Sequence, residues 1–172
     1  MPQSFVKDGQ LDRDAVAVEL RRFLDLMLAR TRLELDYELR LQEQAKTDVE
    51  NPEVVVDFRG RDQRLLLERN AELLRALEYI ALRWLRLEPH YHDRVRFDSG
   101  DYRALRLEEL KLFARVAAER VRETRQAFRF SPMSARDRRI IHLALKDQPG
   151  VRTASEGTVD ERRVVVYPAE SK

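Results

Sequence analysis

Ser134-Ala-Arg-Asp-Arg138-Arg-Ile-Ile-His142-Leu-Ala-Leu145-Lys146 carries two interleaved patterns. Ser134, Arg138, His142 and Lys146 recur every four residues and so share one face of a helix, while Ile140, Ile141, Ala144 and Leu145 fall on the other. Pro132 stops whatever precedes it, and Ser134 with Asp137 three residues later resembles a capping box, so the helix is expected to open at Ser134 and run to about Lys146. Arg136 and Arg139 flank the polar stripe. Free backbone N–H groups and a positive dipole end beside three arginines suit a phosphate, and His142 can hydrogen-bond phosphate or stack on a base. The same spacing equally suits a structural pair, with Arg138 and His142 bonded to neighbouring strands.

Outward from this helix the pattern alternates between helix and strand. Tyr102 to Arg125 reads as a long amphipathic helix with Leu110, Phe113, Ala114, Ala117 and Val121 facing a core. Lys111, Arg115, Arg122 and Arg125 fall on its other side. Phe128-Arg-Phe130 is a short strand. Asp147-Gln-Pro-Gly150 is turn chemistry, and Val151–Ala154 with Arg162–Tyr167 form a closing hairpin around Ser155-Glu-Gly157.

The first half has its own logic. Val16, Leu20, Phe23, Leu24 and Met27 mark a helix over Asp14–Arg30, after a loose tail at 1–12. Leu33-Glu-Leu-Asp-Tyr-Glu-Leu-Arg-Leu41 alternates as a half-buried strand does. It pairs with Val54-Val-Val-Asp-Phe58 as an antiparallel hairpin across a polar turn containing Asn51-Pro52. Gln63 to Leu87 is helical, with an interruption near Glu68-Arg-Asn-Ala71 and a core stripe of Leu74, Leu77, Ile80, Ala81 and Trp84. Tyr79 follows the same stripe. Val95-Arg-Phe97 is a third strand, and Ser99-Gly-Asp turns the chain out. The order α-β-β-α-α-β followed by α-β-α-β-β predicts two small α+β domains, over 13–100 and 101–168, with a short tail at 169–172.

Composition narrows the function. Charged residues make up 37% of the 172, and the basic ones are almost all arginine. Residues 1–100 hold 17 Lys and Arg against 20 Asp and Glu, net −3, whereas 101–172 hold 16 against 11, net +5. A polyanion is drawn to the second half. The absence of cysteine removes disulfides, thiol nucleophiles and thiolate metal sites. Pro89-His-Tyr-His92-Asp93 gathers two histidines and a carboxylate without a further ligand to close a site, so no metal is expected. Nothing resembles a nucleophile elbow or phosphate-binding glycine loop, so neither an enzyme nor a cofactor is expected. The start lacks the apolar core of a signal peptide and no run reaches the roughly 18 apolar residues of a membrane span, which predicts a cytoplasmic protein without membrane insertion.

Pro132 to Leu145, followed by Pro149-Gly-Val, Ser155-Glu-Gly157 and Arg162-Arg-Val-Val-Val-Tyr-Pro168, resembles the R-three-H domain over residues 103–168. That domain is named for an arginine and a histidine separated by three residues, here Arg138 and His142, and is associated with single-stranded nucleic acid. The upstream half is similar to the type II KH domain that precedes it in the Jag family of bacterial RNA-binding proteins. The KH signature I-G-x-x-G-x-x-L-x-A-L-Q-Y-L lines up with Leu67 to Ile80, so that Glu68 and Ala71 stand where the two loop glycines would be. Glycine there lets a nucleic-acid backbone approach, and a carboxylate at Glu68 repels phosphate. This KH-like domain is therefore not expected to hold RNA in the usual way, with Arg69 and Asn70 left for weak contact. No counterpart of the family's N-terminal extension and linker is expected. The resemblance implies binding of single-stranded RNA or DNA through Arg136, Arg138, Arg139 and the Lys111/Arg115/Arg122 face, aided by His142. Alternatively, it implies an adaptor whose first domain meets a small KH-domain protein, another copy of itself or the machinery of cell elongation.

Overall fold

The computed structural model describes residues 5–7, 9–42 and 52–169. The chain divides into two compact units, residues 1–102 and 103–172. Each is a small α+β unit, as the order of elements predicts.

The first unit opens with a hairpin of β1 (Val6–Lys7) and β2 (Gln10–Leu11), where a loose tail was expected; Phe5 and Leu11 are buried in the core and anchor it. Asp12 then caps α1 (Arg13–Arg30) by accepting a hydrogen bond from the Ala15 amide at 3.1 Å. β3 (Leu35–Leu41) pairs antiparallel with β4 (Val54–Gly60), with Tyr37 opposite Phe58 and Leu39 opposite Val56. The expected turn at residues 43–51, Asn51 included, lies outside the described residues. β5 (Val95–Asp98) adds to β4 in parallel, making the sheet order β3-β4-β5. β4 is central, and Val54 to Phe58 are buried throughout it. Gly60 ends the strand at φ 134°, where any Cβ would collide with the Glu34 carbonyl.

Helix α2 (Gln63–Trp84) is two helices joined through a break. Glu68 is extended and Arg69, Asn70 and Ala71 are all left-handed, with φ of 50°, 57° and 56°. Leu66 before the break and Leu74 after it are both fully buried, as is Ala71 itself. The expected core stripe is corrected at its edge: Leu74, Leu77 and Ala81 are buried, but Ile80 is 51% exposed, Trp84 44% and Tyr79 57%. Trp84 lays its ring against Phe23 at 5.6 Å and donates its indole N–H to Glu19, which holds it half out of the core.

The second unit consists of α3 (Tyr102–Thr124), β6 (Phe128–Arg129), α4 (Ala135–Leu145), β7 (Val151–Glu156) and β8 (Arg163–Pro168). Its sheet runs β6-β8-β7, all antiparallel. Val164, Val165 and Val166 of the central strand are fully buried. On α3 the small residues Ala114, Ala117 and Ala118 face the core beside Leu110 and Val121. Phe113, expected there, is 47% exposed.

Candidate nucleic-acid interface

Helix α4 begins where the residues predict. Ser134 has extended geometry and its Oγ accepts from the Asp137 amide at 3.1 Å. The reciprocal half of a capping box is replaced by a longer tie: the Asp137 carboxylate accepts from Arg106 of α3, Nε at 3.3 Å and Nη2 at 3.1 Å, while Arg106 Nη1 donates to Glu109 at 2.6 Å. Arg106 therefore braces the first turn of α4 against α3. Neither residue's partner was visible in the sequence, because 31 positions separate them.

Ile140, Ile141 and Leu145 bury the apolar face of α4. At the edge of that face His142 has both ring nitrogens engaged, Nδ1 with Thr153 Oγ1 at 2.6 Å and Nε2 with Ser155 Oγ at 2.9 Å. Thr153 and Ser155 alternate along β7 and so project from the same face of the sheet. Burial, and after it the charge of Arg138, pushes the His142 imidazole below its ordinary 6.5. The ring is thus neutral at pH 7, with one nitrogen donating and the other accepting, and the two hydroxyls can turn to suit either tautomer. The reading of Arg138 and His142 as a structural pair bonded to neighbouring strands thus holds for His142, with the period-2 placement of Thr153 and Ser155 as its other signal in the sequence.

Arg138 lies one turn before His142. Its Nε is buried and has no hydrogen-bond partner among the described residues. Arg139 is exposed, Arg136 half-buried and Lys146 exposed. The basic side chains of α3 divide differently. Lys111 donates to Glu108 at 2.8 Å, Arg122 donates to the Pro149 carbonyl at 3.3 Å, and Arg115 is exposed. Arg125 follows the last turn at φ 57°, exposed. Arg122 is hence partly a clasp for the turn before β7.

In the first unit, the Glu68–Ala71 break in α2 holds Arg69, Asn70 and Ala71 in left-handed geometry without a glycine. Glu68, Arg69 and Asn70 are exposed. At the other histidines, His92 Nε2 meets the Leu87 carbonyl at 2.9 Å and Asp93 accepts from Arg96 at 2.6 Å. His90 stands beside Glu88. Among the described residues no three His, Cys, Asp or Glu side chains gather to hold a metal. No described helix is long and apolar enough to cross a membrane.

Residues 108–168 match the R-three-H domain, a span that includes both Arg138 and His142. The chain is 31% identical over 114 residues to RNA-binding protein KhpB of Clostridium symbiosum, covering 66% of this chain and 51% of that protein. It is 30% identical over 129 residues to RNA-binding protein KhpB of Lactiplantibacillus plantarum, covering 75% and 40%. With RNA-binding protein KhpB of Streptococcus pneumoniae serotype 2 it shares 28% over 159 residues, 92% of this chain and 46% of the relative. The chain spans about half the length of the curated relatives it matches. Its second unit is an R-three-H domain, and the chain is a homologue of the KhpB proteins, the Jag-type family that its residues resemble.

Proposed function

We propose that the chain binds single-stranded nucleic acid, RNA above all, in the cytoplasm and without catalysis, through the α4 face of its R-three-H domain. The observation that carries this reading is the grouping of a half-buried Arg138 and an exposed Arg139 on the helix that His142 pins to β7. Arg138 as a whole is only half-buried, so its guanidinium stays near the surface, where Arg139 and Arg136 add charge. His142 serves chiefly to position Arg138, since its own nitrogens are taken. The net +5 of residues 101–172 supplies the attraction and the acidic first half does not. The KhpB relatives are named for RNA binding, which supports RNA over DNA.

Titrating a labelled single-stranded RNA at several salt concentrations tests this. Each phosphate contact contributes about 0.7 to the slope of log K against log salt, so Arg139→Ala reduces the slope by about that amount. Binding that does not weaken with salt sinks the reading, as does an Arg138→Ala protein, still folded, that binds like the original. A matched DNA oligomer in parallel reads the preference for RNA.

A second reading concerns the first unit. Its KH-like loop lacks both glycines, while Ile80 and Trp84, one turn apart, leave an apolar edge exposed on α2. These features favour a protein-binding role, with a small KH-domain protein or a second copy of the chain as partner. Light scattering on the full chain, alone and with such a partner, decides it: a strictly monomeric mass in both cases removes this reading.

A further inference from the structure

The β6-β8-β7 sheet of the second unit meets its own helices on one face; on the opposite face Val165 at the centre is buried, while Arg129 and Arg152 on the flanking strands stay exposed. His142 of α4 reaches Thr153 and Ser155, and Arg120 of α3 lies over the Phe128 ring at 5.8 Å. Thr153 and Phe128 both pair with Val166, which places both helices on that face. Strand alternation then puts Arg152, Ala154, Val165, Tyr167 and Arg129 on the opposite face. There Arg152 sits directly across from Tyr167, its guanidinium carbon 4.4 Å from the ring centroid. The Tyr167 hydroxyl donates to the Glu156 carboxylate, which fixes the ring and engages that negative charge. Arg129 pairs with Val165, two residues from Tyr167 on the same face. Arg129 and Arg152 are both exposed and form no ion pair among the described residues. Two strand spacings and the two-residue offset put them roughly 10–12 Å apart at the backbone, farther than one nucleotide step, so the two side chains meet different nucleotides of a strand.

We propose that the exposed arginines of this opposite face form a second single-strand contact, in which an unpaired base stacks on the Arg152–Tyr167 pair and Arg129 takes a phosphate further along the strand. A planar cation lying on an aromatic ring presents a flat, polarizable surface to a base, and arginine rather than lysine supplies that plane. The inference rests on the single-strand reading of α4 but occupies the other side of the sheet. It adds base contact to a site that otherwise holds only the backbone.

The test uses the full chain with two fluorescein-labelled probes, an oligouridine and the matching abasic ribose-phosphate oligomer. Arg152→Lys, which keeps charge but loses the plane, and Tyr167→Ala each weaken oligouridine binding by about tenfold and leave the abasic probe unchanged. Tyr167→Phe retains oligouridine affinity, which separates stacking from loss of fold. Arg139→Ala weakens both probes alike. With 5-iodouridine in the RNA, the photo-crosslink falls on Tyr167. Sheet variants that bind both probes normally while Arg139→Ala fails overturn the second contact and leave the α4 reading standing. Equal losses on both probes, or an acidic peptide that competes as well as oligouridine, also overturn it. An unaltered chain that binds neither probe removes the α4 reading itself.

Discussion

Replacing His142 by alanine separates a brace from a ligand. The side chain makes two hydrogen bonds to β7, at 2.6 and 2.9 Å, each worth about 1 kcal/mol net, so His142→Ala costs the second unit about 2 kcal/mol. For a unit of this size that lowers Tm by roughly 8–16 °C. The β7 amide signals, followed by NMR through a urea series, read this unit apart from the other. A double-mutant cycle with Thr153→Val isolates one of the two bonds, with an expected coupling of about 1 kcal/mol. Titration supplies a further arm. The folded His142 is pushed below 6.5, first by burial and then by Arg138. Above pH 6.5 both folded and unfolded forms are neutral and its stabilisation is complete. As pH falls the unfolded chain takes the proton first, so stability declines from 6.5 down through the folded value. His142→Ala removes that part of the acid sensitivity. Unchanged urea midpoints, or a cycle coupling indistinguishable from zero, would refute the account of His142 as a strap between α4 and β7.

Three other outcomes follow from the same geometry. Arg106→Met cuts the tie to Asp137 and Glu109, and charge-assisted hydrogen bonds of this kind set the loss at about 1.5–3 kcal/mol, read as faster hydrogen exchange in the first turn of α4. Ser134→Ala leaves the Asp137 amide uncapped and destabilises the same unit by about 1 kcal/mol, measured by thermal unfolding. Asn70→Val changes an exposed side chain yet destabilises the first unit by about 1 kcal/mol, because a β-branched residue resists φ of 57°; Trp84 fluorescence in urea reports it.

Local periodicity was a sound guide wherever one face meets one core. The alternation of Leu35, Tyr37 and Leu39 marks β3, and the run of polar residues at Glu68–Asn70 marks the break in α2. The stripe failed at its margins. At 100° per residue Ile80 lies roughly 120° around the helix from Leu74, and Phe113 roughly 60° from Leu110 on the side away from Ala118, so both slip past the width the core covers. Basic residues on α3 were legible as charge but not as roles, since Arg122 spends a hydrogen bond on the Pro149 carbonyl. What the α4 stripe could not disclose was the partner of His142. Thr153 and Ser155 belong to a strand whose facing is settled only when β7 finds its register on β8.

The left-handed triplet at Arg69-Asn70-Ala71 keeps its shape with no glycine in it, flanked by Leu66 and Leu74 sunk in the same core. The helices on either side therefore impose the bend, and the residues within it tolerate it. Such a segment is a socket: its contents can be exchanged while its walls stay put. Glu68→Gly together with Ala71→Gly should then seat without moving either half of α2, so that the groups this bend shows to solvent can change while the core around it does not.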